Sequence, residues 1–67
     1  MFIRLEKSEV YSIVGKNGRD EPIGDIYIKN EHISHIDGNV VVAGDFVFVC
    51  SQTGISKVLN AIGMGAE

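Results

Sequence analysis

The strongest pattern in this chain is an apolar segment whose period changes from that of a strand to that of a helix. Two apolar runs, Val40 to Val42 and Phe46 to Cys50, are separated by Gly44 and Asp45, a pair that favours a tight hairpin turn. Neither run alternates with polar residues, as a strand with one solvated face does. The pattern therefore predicts a β-hairpin that is covered on both faces.

The segment after this hairpin has helical spacing. Its apolar stripe, at positions i, i+3, i+4 and i+7, consists of Ile55, Val58, Leu59 and Ile62. Ser51 or Thr53 can cap the start of the helix, and Gly63 suits the left-handed position that ends it. Residues 64–67 are expected to form a frayed tail.

Shorter apolar runs predict further strands at residues 2–6, 9–14, 25–29 and 33–37. The first two runs can form one bent strand or two short ones. The alternation of the third run fails at residues 30–32, where we expect a helical turn or a bulge. Residues 37–39, with the sequence Asp-Gly-Asn, have the composition of a turn.

The polar segment Gly15 to Gly24 interrupts this series of strands. It contains Asn17-Gly18, a tight-turn signal because both residue types tolerate positive φ, and Pro22, which biases Glu21 towards an extended conformation. We expect a mobile loop here. Loops of this length are functional more often than short ones.

Together these elements predict an α+β fold in a single domain, residues 1–67. The sheet is expected to be small, curved and antiparallel, with four to five short strands and one C-terminal α-helix. One helix can cover only one face of the sheet, so the second face is hidden either by curling into a barrel-like sheet or by another subunit. We expect a homo-oligomer with Val41, Val47 and Val49 at its interface.

Composition narrows the classes of function. The chain has 67 residues and one cysteine, so it has no intramolecular disulfide to stabilise it, and oligomerisation is the usual remedy for a domain this small. The formal net charge is −3 and the cationic residues are scattered, which disfavours nucleic-acid binding. No segment resembles a membrane span or the apolar region of a signal peptide, so we expect a cytoplasmic protein.

The candidate chemical groups are few. Cys50 shares its strand parity with Phe46 and Phe48 and has no basic residue nearby in sequence, which favours a core residue over a nucleophile. His32 and His35 are three residues apart, and two histidines are too few to close a zinc site within one chain. We therefore expect no enzyme activity, no cofactor and no metal.

The order of elements from Ile26 to Gly63 resembles that of small proteins encoded in flagellar operons. The residues that carry this resemblance are IYIKNEHISHID, VVV, FVFV and ISKVLNAIG, a strand, a turn, two strands and a helix. The resemblance is one of apolar spacing. It implies the order of elements and transfers neither a function nor a site residue.

The function that the sequence favours is that of a small interaction protein acting as a homo-oligomer, of the kind found among bacterial accessory proteins and phage-encoded regulatory or inhibitory proteins. Aromatic and arginine side chains dominate interface energies, so the expected partner-binding residues lie in the polar segment and at an exposed tyrosine. These residues are Lys16, Asn17, Arg19, Asp20 and Tyr27. An alternative is a small-ligand-binding or sequestering protein with a site between subunits near Arg4, His32 and His35.

Overall fold

The computed structural model describes residues 1–63 of the chain. Its strands are β1 (Phe2–Leu5), β2 (Val10–Gly15), β3 (Gly18–Asp20), β4 (Ile26–Lys29), β5 (Ile33–Asp37), β6 (Val40–Ala43) and β7 (Phe46–Cys50), and its α-helix is α1 (Gln52–Ala61). Short 3-10 turns at Lys7–Glu9 and Asn30–His32 separate β1 from β2 and β4 from β5. The predicted break at residues 30–32 is confirmed. The tail expected at residues 64–67 lies outside the described residues.

The strands form two antiparallel sheets. The larger has five strands in the order β3-β2-β7-β6-β5, and the smaller pairs β1 with β4. The α+β prediction is confirmed. The barrel-like alternative is not adopted, because β3 and β5 remain unpaired edges of an open sheet.

Two-residue turns connect β5 to β6 and β6 to β7. In each turn the first central residue is a glycine with positive φ, 61° at Gly38 and 60° at Gly44. The second central residues, Asn39 and Asp45, do not take a positive φ, so both turns are of type II′, whose twist matches that of the flanking strands. The hairpin predicted around Gly44-Asp45 is confirmed, with Ala43 paired to Phe46.

The polar segment Gly15 to Gly24 differs from its prediction as one mobile loop. Its first half continues the hairpin, since β3 pairs with β2 and Gly15 lies opposite Gly18. Gly18 has a φ of 108°, whereas Asn17 does not take a positive φ. Three polar or glycine residues can form this strand because β3 is an edge strand whose side chains are exposed.

The hydrophobic core lies between the two sheets and α1. Its fully buried side chains are Leu5 from β1, Val41 from β6, Cys50 from β7 and Val58 from α1. Ser51 caps the helix as predicted, because its Oγ accepts a hydrogen bond of 3.1 Å from the Gly54 N–H. One face of the five-stranded sheet is therefore covered from within the chain.

Candidate interaction face

The strand register determines which side chains share the outer face of the five-stranded sheet, the face opposite α1. One row crosses all five strands and consists of Arg19, Val14, Val47, Val42 and His35. The next row consists of Ser12, Val49, Val40 and Asp37. Five valines thus form one continuous apolar patch, which we call the valine face: Val14, Val40, Val42, Val47 and Val49.

The valine face is not part of the core. Its side chains are half-buried, and among the described residues none of them packs against the buried cluster. Branched apolar side chains that line up across adjacent strands shield one another laterally while their outer methyl groups stay in water. An apolar sheet face left in this state is typical of a surface that docks against something else.

The grouping of Val41 with Val47 and Val49 is wrong. Val41 lies opposite Phe48 and is 0% exposed, so it belongs to the core. A turn of two residues places Val40 opposite Val49 and Val42 opposite Val47. Counting across that turn would have assigned Val40 and Val42 to the outer face, whereas Val14 could be assigned only once β2 was known to pair with β7.

The charges on this face lie at its two edges. Arg19 is on β3 at one edge, and His35 and Asp37 are on β5 at the other. All three are exposed. The apolar centre and the charged margins together resemble the apolar core and polar rim of a protein interface.

The five residues predicted to bind a partner are distributed over three places. Lys16, Asn17 and Asp20 line a cleft of about 260 Å³ at the β2–β3 turn, next to Asp45 and Phe46. Arg19 occupies the outer face, because it lies opposite Val14 while Asp20 lies opposite Ile13. Tyr27 lies elsewhere, on the two-stranded sheet.

Tyr27 belongs to a second, aromatic cleft. This cleft of about 340 Å³ lies where the two sheets meet. Its aromatic lining consists of Phe2, Tyr27, His32, Phe46 and Phe48. The rings of Phe46 and Phe48 are tilted, with centroids 6.3 Å apart. Phe2, Tyr27 and Phe46 are each at least half exposed, which is unusual for side chains of this size.

The structure does not gather Arg4, His32 and His35 into one site within the chain. Arg4 is engaged by Asp25, whose Oδ2 accepts hydrogen bonds of 3.0 and 2.9 Å from its Nε and Nη2. That hydrogen bond raises the pKa of Arg4. His32 lines the aromatic cleft, and His35 lies at the edge of the valine face. Within residues 1–63, no group of three His, Cys, Asp or Glu side chains is placed to hold a metal ion.

Cys50 is a core residue, as predicted. It is 0% exposed, and burial raises the pKa of its thiol to about 11. Its Sγ lies 3.9 Å from the Phe48 carbonyl oxygen. A thiol in this environment stays protonated at neutral pH, which is the opposite of what a nucleophile needs.

The sequence did not reveal Glu9, the last residue of the first 3-10 turn, which is buried where that turn contacts α1. Its Oε1 accepts hydrogen bonds from the Lys57 ammonium at 3.0 Å and from the Glu6 N–H at 2.8 Å. The bond from Lys57 is the larger cause of a lowered pKa at Glu9. These contacts attach α1 to the N-terminal part of the chain and make Glu9 a structural residue.

No protein-family model matches the chain, and neither a curated protein nor a solved structure shows significant similarity to it. The described part of the chain contains no helix that is long and apolar enough to cross a membrane.

Proposed function

We propose that this chain is a non-enzymatic interaction protein, of the accessory or regulatory kind, that acts as a homo-oligomer through its valine face. The observation that carries the proposal is the patch of five half-buried valines on the side of the sheet that α1 does not cover. An antiparallel sheet that faces water on one side normally alternates apolar and polar residues. Here both faces of β6 and β7 are apolar, which favours a covered face in the working protein.

The face is smaller than a standard protein interface, which places it among weak and transient contacts. With strands about 4.8 Å apart and residues about 3.3 Å apart along each strand, five strands by four residues cover roughly 300 Å² in plan. A standard interface buries about 800 Å² of accessible surface on each partner. We therefore expect a reversible association in the micromolar range.

The proposal is tested by placing a charge in the centre of the face. Val47→Lys should convert the wild-type oligomer to a monomer, because the ammonium group loses its water when a second apolar face covers it. Sedimentation velocity over a range of concentrations around 100 μM measures the change. The matched control is Asn60→Lys, which adds the same charge at an exposed position of α1 and should leave the oligomer intact.

Circular dichroism separates lost association from lost folding. A folded, monomeric Val47→Lys variant supports the proposal. A wild-type protein that stays monomeric throughout the concentration series overturns it, as does a folded Val47→Lys variant that still associates.

A second candidate function is supported by the aromatic cleft, which would make the chain a binder of small apolar or aromatic ligands. Three partly exposed aromatic rings around a cleft of about 340 Å³ offer stacking surfaces, and His32 adds a polar group. Of the residues predicted to form a site between subunits, Arg4, His32 and His35, this cleft contains only His32.

Indole is a suitable probe for this second candidate. In a titration followed by amide chemical shifts, it should perturb Phe2, Tyr27 and Phe46 in the wild-type protein, and Tyr27→Ala should weaken the effect. Tyr11→Ala is the control, because Tyr11 is equally exposed but lies outside the cleft. Shifts that are absent, or that are the same in Tyr27→Ala, would argue against ligand binding here.

A further inference from the structure

The distribution of charge around the valine face determines how a second copy can cover it. We infer that the partner is another copy of this chain, packed face to face about a twofold axis parallel to β7, so that Arg19 of each protomer pairs with Asp37 of the other. This inference rests on the proposed function, since it requires the valine face to be the contact surface. It adds how the second copy is oriented over the valine face and which residues determine that orientation.

The charged residues of the face lie on opposite edges of the sheet. β7 is the central strand, β3 is one edge and β5 is the other. Arg19 is the cationic residue at the β3 edge, and Asp37 is the anionic residue at the β5 edge. A face with opposite charges at opposite edges is complementary to itself if the partner's edges are exchanged.

Two symmetric arrangements align the strands of the two copies. A twofold axis along β7 places the β3 edge of one protomer over the β5 edge of the other. A twofold axis perpendicular to the strands places β3 over β3, and brings the two Arg19 side chains together. Like charges that meet at an interface are costly, so the charges favour the axis along β7. Both axes keep the strand directions of the two packed sheets aligned, so the choice between them rests on the charges.

The rows of the face determine the register of the contact. Arg19 lies in the same row as His35, and Asp37 is two residues further along β5 on the same face. In the twofold arrangement the long Arg19 side chain therefore reaches the β5 edge of the partner at His35 and Asp37. Asp20 is the last residue of β3 that pairs with β2, and Glu21 follows it. The strand register therefore does not place Glu21 in the contact.

The two axes predict different dimer strengths when these charges are reversed. With the perpendicular axis the wild type already has Arg–Arg and Asp–Asp contacts, so a single reversal leaves the number of like-charge contacts unchanged. With the axis along β7, a single reversal creates like-charge contacts that the wild type lacks. Arg19→Asp places two Asp–Asp contacts in its own dimer, and Asp37→Arg places two Arg–Arg contacts in its own. A mixture of the two variants, however, forms a heterodimer in which both contacts join an Asp to an Arg. We expect each variant alone to dimerise about tenfold more weakly than the wild type, and the mixture to recover most of that loss.

The experiment uses the full chain and native mass spectrometry, which separates the three dimers because the two variants differ in mass. The double variant Arg19→Asp/Asp37→Arg should regain the wild-type dimer, since each Asp again faces an Arg. Lys16→Asp and Asp45→Arg are the matched controls. They make the same changes of charge at exposed turn positions outside the face and should leave dimerisation unchanged.

The outcomes separate this inference from the proposed function. If the wild type dimerises and Val47→Lys does not, but the mixed variants give the statistical 1:2:1 ratio of dimers, the valine face is the contact and the inferred orientation is wrong. If the wild type is a monomer, both proposals fail. Single variants that dimerise more weakly than the wild type, together with a heterodimer no tighter than the wild-type dimer, support the inferred axis. Single variants as strong as the wild type, with a heterodimer tighter than the wild-type dimer, overturn it in favour of the perpendicular axis.

Discussion

At the scale of single residues, the most consequential side chain outside the valine face is Glu9. The residue is 7% exposed, and its carboxylate accepts hydrogen bonds from an ammonium group and a backbone N–H. A lowered pKa means that the folded state favours the ionised carboxylate. Its contribution to stability is therefore present above the ordinary pKa of 4.5 and is lost as the pH falls through the lower native value.

Glu9→Gln should lower the melting temperature at pH 7, because the amide cannot attract Lys57 as the carboxylate does. It should also flatten the loss of stability on acidification below pH 4.5, where the wild-type carboxylate becomes protonated. Thermal unfolding between pH 3 and pH 7 measures both effects. Glu21→Gln removes an exposed carboxylate and is the control, and an identical pH profile for Glu9→Gln and the wild type would contradict the assignment.

At the scale of elements, α1 is held against the 3-10 turn by a contact that only glycine allows. Gly54 is buried in the first turn of the helix, and a Cβ atom added there would overlap the backbone oxygen of Glu9. The same oxygen accepts a hydrogen bond of 2.9 Å from the Ser51 N–H. Because backbone atoms cannot rotate away, either the helix or the turn must move to make room.

Gly54→Ala therefore has two opposing effects on stability. Alanine favours a helix by about 1 kcal/mol over glycine. Overpacking a tight site typically costs about 1–3 kcal/mol. We expect net destabilisation in urea unfolding because the clash is with backbone. Ser56→Ala, at an exposed position of the same helix, should be neutral or slightly stabilising, and a stabilised Gly54→Ala variant would show that the contact is looser than described.

The elements themselves were largely predictable from local pattern. The hairpin at Gly44-Asp45, the strand Ile33–Asp37, the break before it and the cap at Ser51 each follow from neighbouring residues. β3 was missed because its three residues carry no apolar side chain, and it forms only because β2 offers it a partner. Edge strands of this kind have no pattern of their own.

At the scale of the whole molecule, pairings between distant segments could not be read from the sequence. β2 pairs with β7 across most of the chain, and β4 leaves the main sheet to pair with β1. Both choices depend on how all the apolar faces are buried together, which no local pattern records. The aromatic cleft and the position of Val14 depend on these pairings, and so neither was expected.

The sheet also shows why the two-faced hairpin was informative although β6 was predicted with the wrong strand parity relative to β7. The excess of apolar residues in β6 and β7 indicated a second face to cover, and within the described residues only the inner face is covered. The error at Val41 concerned strand parity. The physical argument for an uncovered apolar surface does not depend on it.

The valine face has a consequence for conformational entropy. A branched Cβ restricts χ1, so valine side chains are already stiff before anything touches them. Immobilising a flexible side chain at an interface costs about 0.5–1.5 kcal/mol, and five valines on a hydrogen-bonded sheet have little of that freedom to lose. The face is thus ordered in advance, and a surface of modest area can retain more of its burial energy as affinity than an equal area of lysine, glutamate or methionine.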